Sequence, residues 1–120
     1  MKIFFIAVLV LNLIFEGLAG AGLVFGPQGI VAEVQPEGGM WAMNYGFAAF
    51  AIASSIFWIW PNRSNIKAVG SVLGILVTFH TMMCIALAIP GDQVVGMSIH
   101  GLMAVLCLFL LTQRAKWCDE

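Results

Sequence analysis

The sequence predicts an all-α polytopic membrane protein, a four-helix transmembrane bundle with both termini on the cytoplasmic side. Three observations predict it. Of the 120 residues, 62% are hydrophobic and only 9% charged; the apolar residues fall in four long runs; and every Lys and Arg lies on one side of a four-crossing arrangement. A soluble domain carries roughly 25% charge. Here the few charges sit between apolar runs, as membrane insertion requires.

The first run, about 3–25, follows Lys2 and has an Ala19-Gly20-Ala21 segment like a signal-peptide cleavage site. Glu16 interrupts the apolar stretch, so a retained helix is expected rather than a cleaved signal. Residues 26–39 form an outer loop rich in Gly and Pro. Ile30, Val31 and Val34 set against Gln28, Glu33 and Glu37 predict a short turn lying on the outer membrane surface. A second helix is expected over 40–60, a third over 66–89 and a fourth over 94–111, each near the ~20 residues that span a hydrocarbon core. The turns between them, Pro61-Asn62-Arg63-Ser64-Asn65 and Pro90-Gly91-Asp92-Gln93, are tight hairpins because Pro and Gly end the helical pattern. No linker divides the chain, which reads as a single membrane domain over 1–120.

Orientation follows from charge. Lys2, Arg63, Lys67, Arg114 and Lys116 fall on one side and Glu33, Glu37 and Asp92 on the other, so the positive-inside rule puts both termini in the cytoplasm. Trp41 falls at the outer interface and Trp58, Trp60 and Trp117 at the inner one, where amphipathic rings prefer headgroup depth. A formal net charge of −1 without a basic cluster excludes nucleic acid as a partner. Cys84, Cys107 and Cys118 fall at depths differing by more than ~10 Å, too far apart for a disulfide. Cys118 reads as a free cytosolic thiol.

Ionisable groups inside the spans carry the functional question, because they are costly in lipid. Glu16, His80 and His100 lie ~2 to ~5 Å outward of the helix midpoints, and Asn44 and Tyr45 ~8 Å outward. Together they predict a polar layer just outside the midplane. Asn12, Glu16 and Gly20 share one face of the first helix, and Asn44, Ala48, Ala51 and Ser55 share one face of the second; both are expected to point inward. His80 shares a face with Cys84, offset from the Gly70 and Gly74 pair, while His100 stands next to Gly101. Gly70, Gly74 and Gly101 mark helix-packing positions, within the chain or toward a partner.

Several readings of this layer stay open. The carboxyl, imidazole and amide groups can simply hold helices together by hydrogen bonds. Two histidines at one depth also match axial ligation of haem b, and a Glu/His layer suits a quinone- or lipid-like ligand. A small transporter using Glu16 is a further class. No Glu-x-x-His or His-x-x-x-His spacing supports a metal site, so none is assigned. No hydrolytic, nucleotide or redox-cysteine motif occurs, so an enzyme is not indicated.

The Gly26-Pro27-Gln28-Gly29 loop, the Asn44-Tyr45-Gly46 start of the second helix and the short basic turn at Arg63 resemble the DoxX-like group of small four-helix bacterial membrane proteins. The resemblance implies a bacterial inner-membrane location and a role as a small accessory subunit of a membrane redox complex. The residues and the resemblance together lead to one expectation: a non-catalytic accessory or stabilising factor whose partners are membrane lipid and other membrane subunits, or further copies of itself.

Overall fold

The computed structural model describes residues 1–26 and 36–119. The surface turn expected around Ile30, Val31 and Val34 lies outside the described residues. The described chain is all helical apart from one isolated bridge between Asn65 and Asp119. It contains α1 (Lys2–Phe25), α2 (Pro36–Ala53), α3 (Ser55–Ile59), α4 (Ile66–Ala88) and α5 (Val94–Gln113), with single 3₁₀ turns at Trp60–Asn62 and Arg114–Lys116. Four stretches are long and apolar enough to cross a membrane: Lys2–Phe25, Gly39–Asn62, Ile66–Ala88 and Val94–Lys116.

The second run differs from expectation: α2 is described from Pro36, and the run is not one helix but α2 followed by α3, parted at Ser54. The Ser54 hydroxyl donates to the Ala51 carbonyl at 2.8 Å and accepts from Trp58 Nε1 at 3.2 Å. Such back-bonding competes with the helical ladder and bends it.

The chain forms two compact units, Leu9–Trp58 and Met1–Val8 with Ile59–Glu120. In the first, α1 buries Leu9, Asn12, Glu16, Gly20 and Leu23. The α2–α3 segment buries Ala42, Gly46, Ala49, Ala53 and Ile56, a three-and-four spacing that runs through the Ser54 break. The seam closes at two glycines. A Cβ on Gly20 would stand 2.8 Å from the Gly46 carbonyl oxygen, and one on Gly46 would stand 2.9 Å from the Gly20 oxygen. The helix backbones touch there because neither residue has a side chain.

In the second unit α4 and α5 pack as a hairpin. Its turn passes through Gly91 at φ +79°, a left-handed conformation that glycine adopts without strain. α4 buries Val69, Leu73, Leu76 and His80, and α5 buries His100, Met103, Cys107 and Leu110. The spacing is that of two helices meeting along a shallow seam. The C-terminal tail then folds back on the start of α4. Asn65 Oδ1 accepts from the N–H groups of Lys67 and Ala68, each at 3.0 Å, and the Asp119 carbonyl accepts from Ile66 N–H at 2.9 Å. Three of the N–H groups that a helix start leaves unpaired are satisfied in this way. Trp117 stacks on Phe5 with ring centroids 5.1 Å apart and is buried.

Candidate functional site

The buried polar residues among those described are Asn12, Glu16, His80 and His100. Asn12 and Glu16 belong to one unit, His80 and His100 to the other.

His80 and His100 face each other across the α4–α5 seam, with their Nδ1 atoms 2.9 Å apart. Neither ring has more than 3% exposure. A bond between two Nδ1 atoms requires one nitrogen to donate and the other to accept, so the rings adopt opposite tautomers. One Nε2 then carries a lone pair and the other a proton, and the pair is polarised. Phe79 lies edge-on to both, 5.2 Å from the His80 ring and 5.9 Å from that of His100. Small residues on α5 permit this approach. The Cys84 sulfur sits 3.4 Å from where a Gly101 Cβ would be, and a Leu87 methyl carbon 3.2 Å from where one on Gly96 would be.

At 2.9 Å the two Nδ1 atoms bond each other directly; axial ligation of a haem would draw on the Nε2 atoms, on the other side of each ring.

In the other unit, Glu16 is fully buried one helical turn after Asn12. The Asn12 amide donates to the Ile52 carbonyl at 3.2 Å and to Ser55 Oγ at 3.5 Å, the two residues flanking the break region at Ser54. An interrupted helix offers backbone and hydroxyl oxygens that a continuous one keeps to itself. Asn12 uses them.

The second-helix face is corrected. Asn44, Ala48 and Ala51 are exposed, and Tyr45 and Ser55 are half-buried; the buried face is the Ala42–Gly46–Ala49–Ala53 stripe. Backbone contact at Gly46 sets the rotation of α2 and turns Asn44 outward. Among the packing glycines, Gly101 receives Cys84, whereas Gly70 lies against the Arg114 side chain, with Nε 3.0 Å from where its Cβ would be. Gly74 has no atom within 4 Å of that position among the described residues. Close backbone approach occurs instead at Gly20 and Gly46. Phe79 and Arg114 also belong to these environments without having been singled out; a large aromatic directly before a buried His is the signal for the first.

Compared with protein-family models, curated proteins and solved structures, the chain has no match.

Proposed function

We propose that the chain is an integral membrane protein of the bacterial inner membrane, with both termini cytoplasmic, and that it serves as a non-catalytic accessory or stabilising subunit of a larger membrane complex. The observation that carries this reading is a pair of open notches at span depth. Gly17 on α1 and Gly74 on α4 have nothing within 4 Å of a Cβ position among the described residues. Large apolar side chains stand beside them: Ile14 and Leu18 are 52% and 69% exposed, and Ile75 is 58% exposed. A bare glycine flanked by apolar side chains lets a second helix approach closely in lipid, where packing rather than water expulsion drives association. The orientation is supported by charge: Lys2, Arg63, Lys67 and Arg114 gather at one end of their unit, together with the tail residue Asp119. The resemblance to the DoxX-like group agrees with an accessory role.

Purification in a native detergent tests it. The wild type is expected in an assembly larger than its own 12.9 kDa, and Gly74→Leu to release it with unchanged helical content. A wild type that is stable alone, with no other protein, counts against the reading.

A further inference from the structure

The start of α4 and the end of α5 frame an open groove of about 400 Å³, lined by Ile66, Lys67, Gly70, Ser71 and Arg114. Two cations line it and no carboxylate does. Gly70 makes its floor, since the Arg114 side chain lies across the one position on that face of α4 without a side chain. Arg114 Nη1 donates to the Leu111 carbonyl at 2.6 Å, which anchors the guanidinium half-buried and leaves its other N–H donors to the groove. Among the described residues neither Lys67 nor Arg114 forms an ion pair; the one present joins Lys2 to Asp119. The Ser71 hydroxyl is engaged by the Lys67 carbonyl at 3.1 Å, so the charge of the groove is carried by the two cations.

The position of the groove identifies its ligand. It stands where two candidate spans, Ile66–Ala88 and Val94–Lys116, end together. At that depth lipid phosphates meet the hydrocarbon boundary. One turn further along α4 from Ser71 is Ile75, exposed and apolar, along the path an acyl chain would take from a headgroup held at Lys67 and Arg114. A planar guanidinium beside a flexible ammonium is a donor set suited to phosphate oxygens.

We propose that this groove binds the phosphate headgroup of an anionic phospholipid, with Lys67 and Arg114 as its ligands. The proposal rests on the reading of these helices as membrane crossings.

The test uses the full chain in detergent, incubated with equal amounts of phosphatidylglycerol and phosphatidylcholine and examined by native mass spectrometry. Phosphatidylglycerol is expected to be retained preferentially. Lys67→Gln and Arg114→Gln are each expected to weaken its retention about fivefold, the usual worth of one interfacial cation. Gly70→Leu should weaken it by filling the floor, while Arg114→Lys should keep part of it. Lys116→Gln, outside the groove, is the control. Equal retention of the two lipids, or an equal loss in the control, overturns the site. If inorganic phosphate alone raises the unfolding temperature as much as phosphatidylglycerol does, the ligand is a soluble anion and the lipid assignment falls. Carbonate extraction of wild-type membranes separates the underlying reading: a protein released by carbonate is not a membrane-spanning one, whatever it binds.

Discussion

Gly46 and Gly74 occupy similar sequence contexts, each a glycine inside an apolar helix, yet the chain uses them in opposite ways. At Gly46 a Cβ would fall 2.7 Å from a Val24 methyl carbon and 2.9 Å from the Gly20 carbonyl oxygen; at Gly74 it would meet nothing within 4 Å among the described residues. Backbone cannot move aside as a side chain tip can. Gly46→Leu is therefore expected to destabilise the Leu9–Trp58 unit by roughly 1–3 kcal/mol or more, and Gly74→Leu to leave the isolated chain within about 0.5 kcal/mol of wild type. Unfolding by denaturing detergent, followed by circular dichroism, measures both; equal effects would contradict the backbone contact. The histidine pair is tested by a different comparison. A double-mutant cycle with His80→Leu and His100→Leu should return a coupling of about 0.6 kcal/mol and at most ~1.7 kcal/mol, the range for hydrogen bonds between membrane helices. Zero coupling would mean that the 2.9 Å approach does not contribute to stability.

At the scale of the element, the C-terminal tail acts as a cap for α4. It supplies the Asp119 carbonyl to Ile66 N–H, donates the Asp119 N–H to the Ser64 carbonyl, and buries Trp117 against Phe5. Trp117→Ala is expected to cost about 3 kcal/mol and to speed hydrogen exchange at Ile66, whose bond depends on the tail staying in place. Exchange at α5 residues near His100 should change less. If all amides of α4 and α5 exchange faster together, the tail is part of the core rather than a cap. The lone thiol of this tail reports on the same clasp. Burial raises the Cys118 pKa above its usual value; Lys2 and Arg114 pull it down and Asp119 pushes it up. Thiolate formation, and with it alkylation, is thus expected to need a higher pH in the folded protein than in the unfolded chain. Because the neutral thiol is the form the fold prefers, any stabilisation is present below the unfolded pKa and is lost as pH rises through the folded value. Asp119→Asn should move the alkylation profile toward lower pH.

For the whole molecule, hydrophobicity alone reveals the four long apolar helices, since nothing but a helix satisfies its backbone over ~20 apolar residues. The rotation of each helix was harder to read. Asn44 was expected inward because it is polar, but the seam is decided by where backbones can touch, and that lies at Gly20 and Gly46. Polarity marks which residues need partners, not which face is buried when small residues compete for the same seam. That His80 and His100 stand level on neighbouring helices is legible from helix register, while their direct contact is not, because it depends on the glycines of α5 that let α4 approach. The break at Ser54 had a visible cause in two adjacent serines, but its consequence, carbonyl and hydroxyl acceptors for Asn12, is a tertiary matter.

Crossing and orientation can be tested within the α4–α5 hairpin, because its two ends carry distinguishable markers. α4 has 23 residues, about 34 Å at 1.5 Å per residue, enough to separate the turn at Asp92 from the tail at Cys118 by a full hydrocarbon core. The cations gather with Cys118 at one end, the end that the proposed orientation puts in the cytoplasm. In an Asp92→Cys variant an impermeant maleimide applied to spheroplasts should modify residue 92 and leave Cys118 untouched until the membrane is opened. The native Cys84 and Cys107 lie within the spans and should be shielded from the reagent in both cases. Reaction of both sites from outside would mean that the hairpin lies on the membrane or outside it. Reaction at Cys118 alone would invert the orientation and place the Lys67–Arg114 groove in the outer leaflet. The headgroup chemistry of that groove would be unchanged, but the lipids available to it would be those of the opposite face.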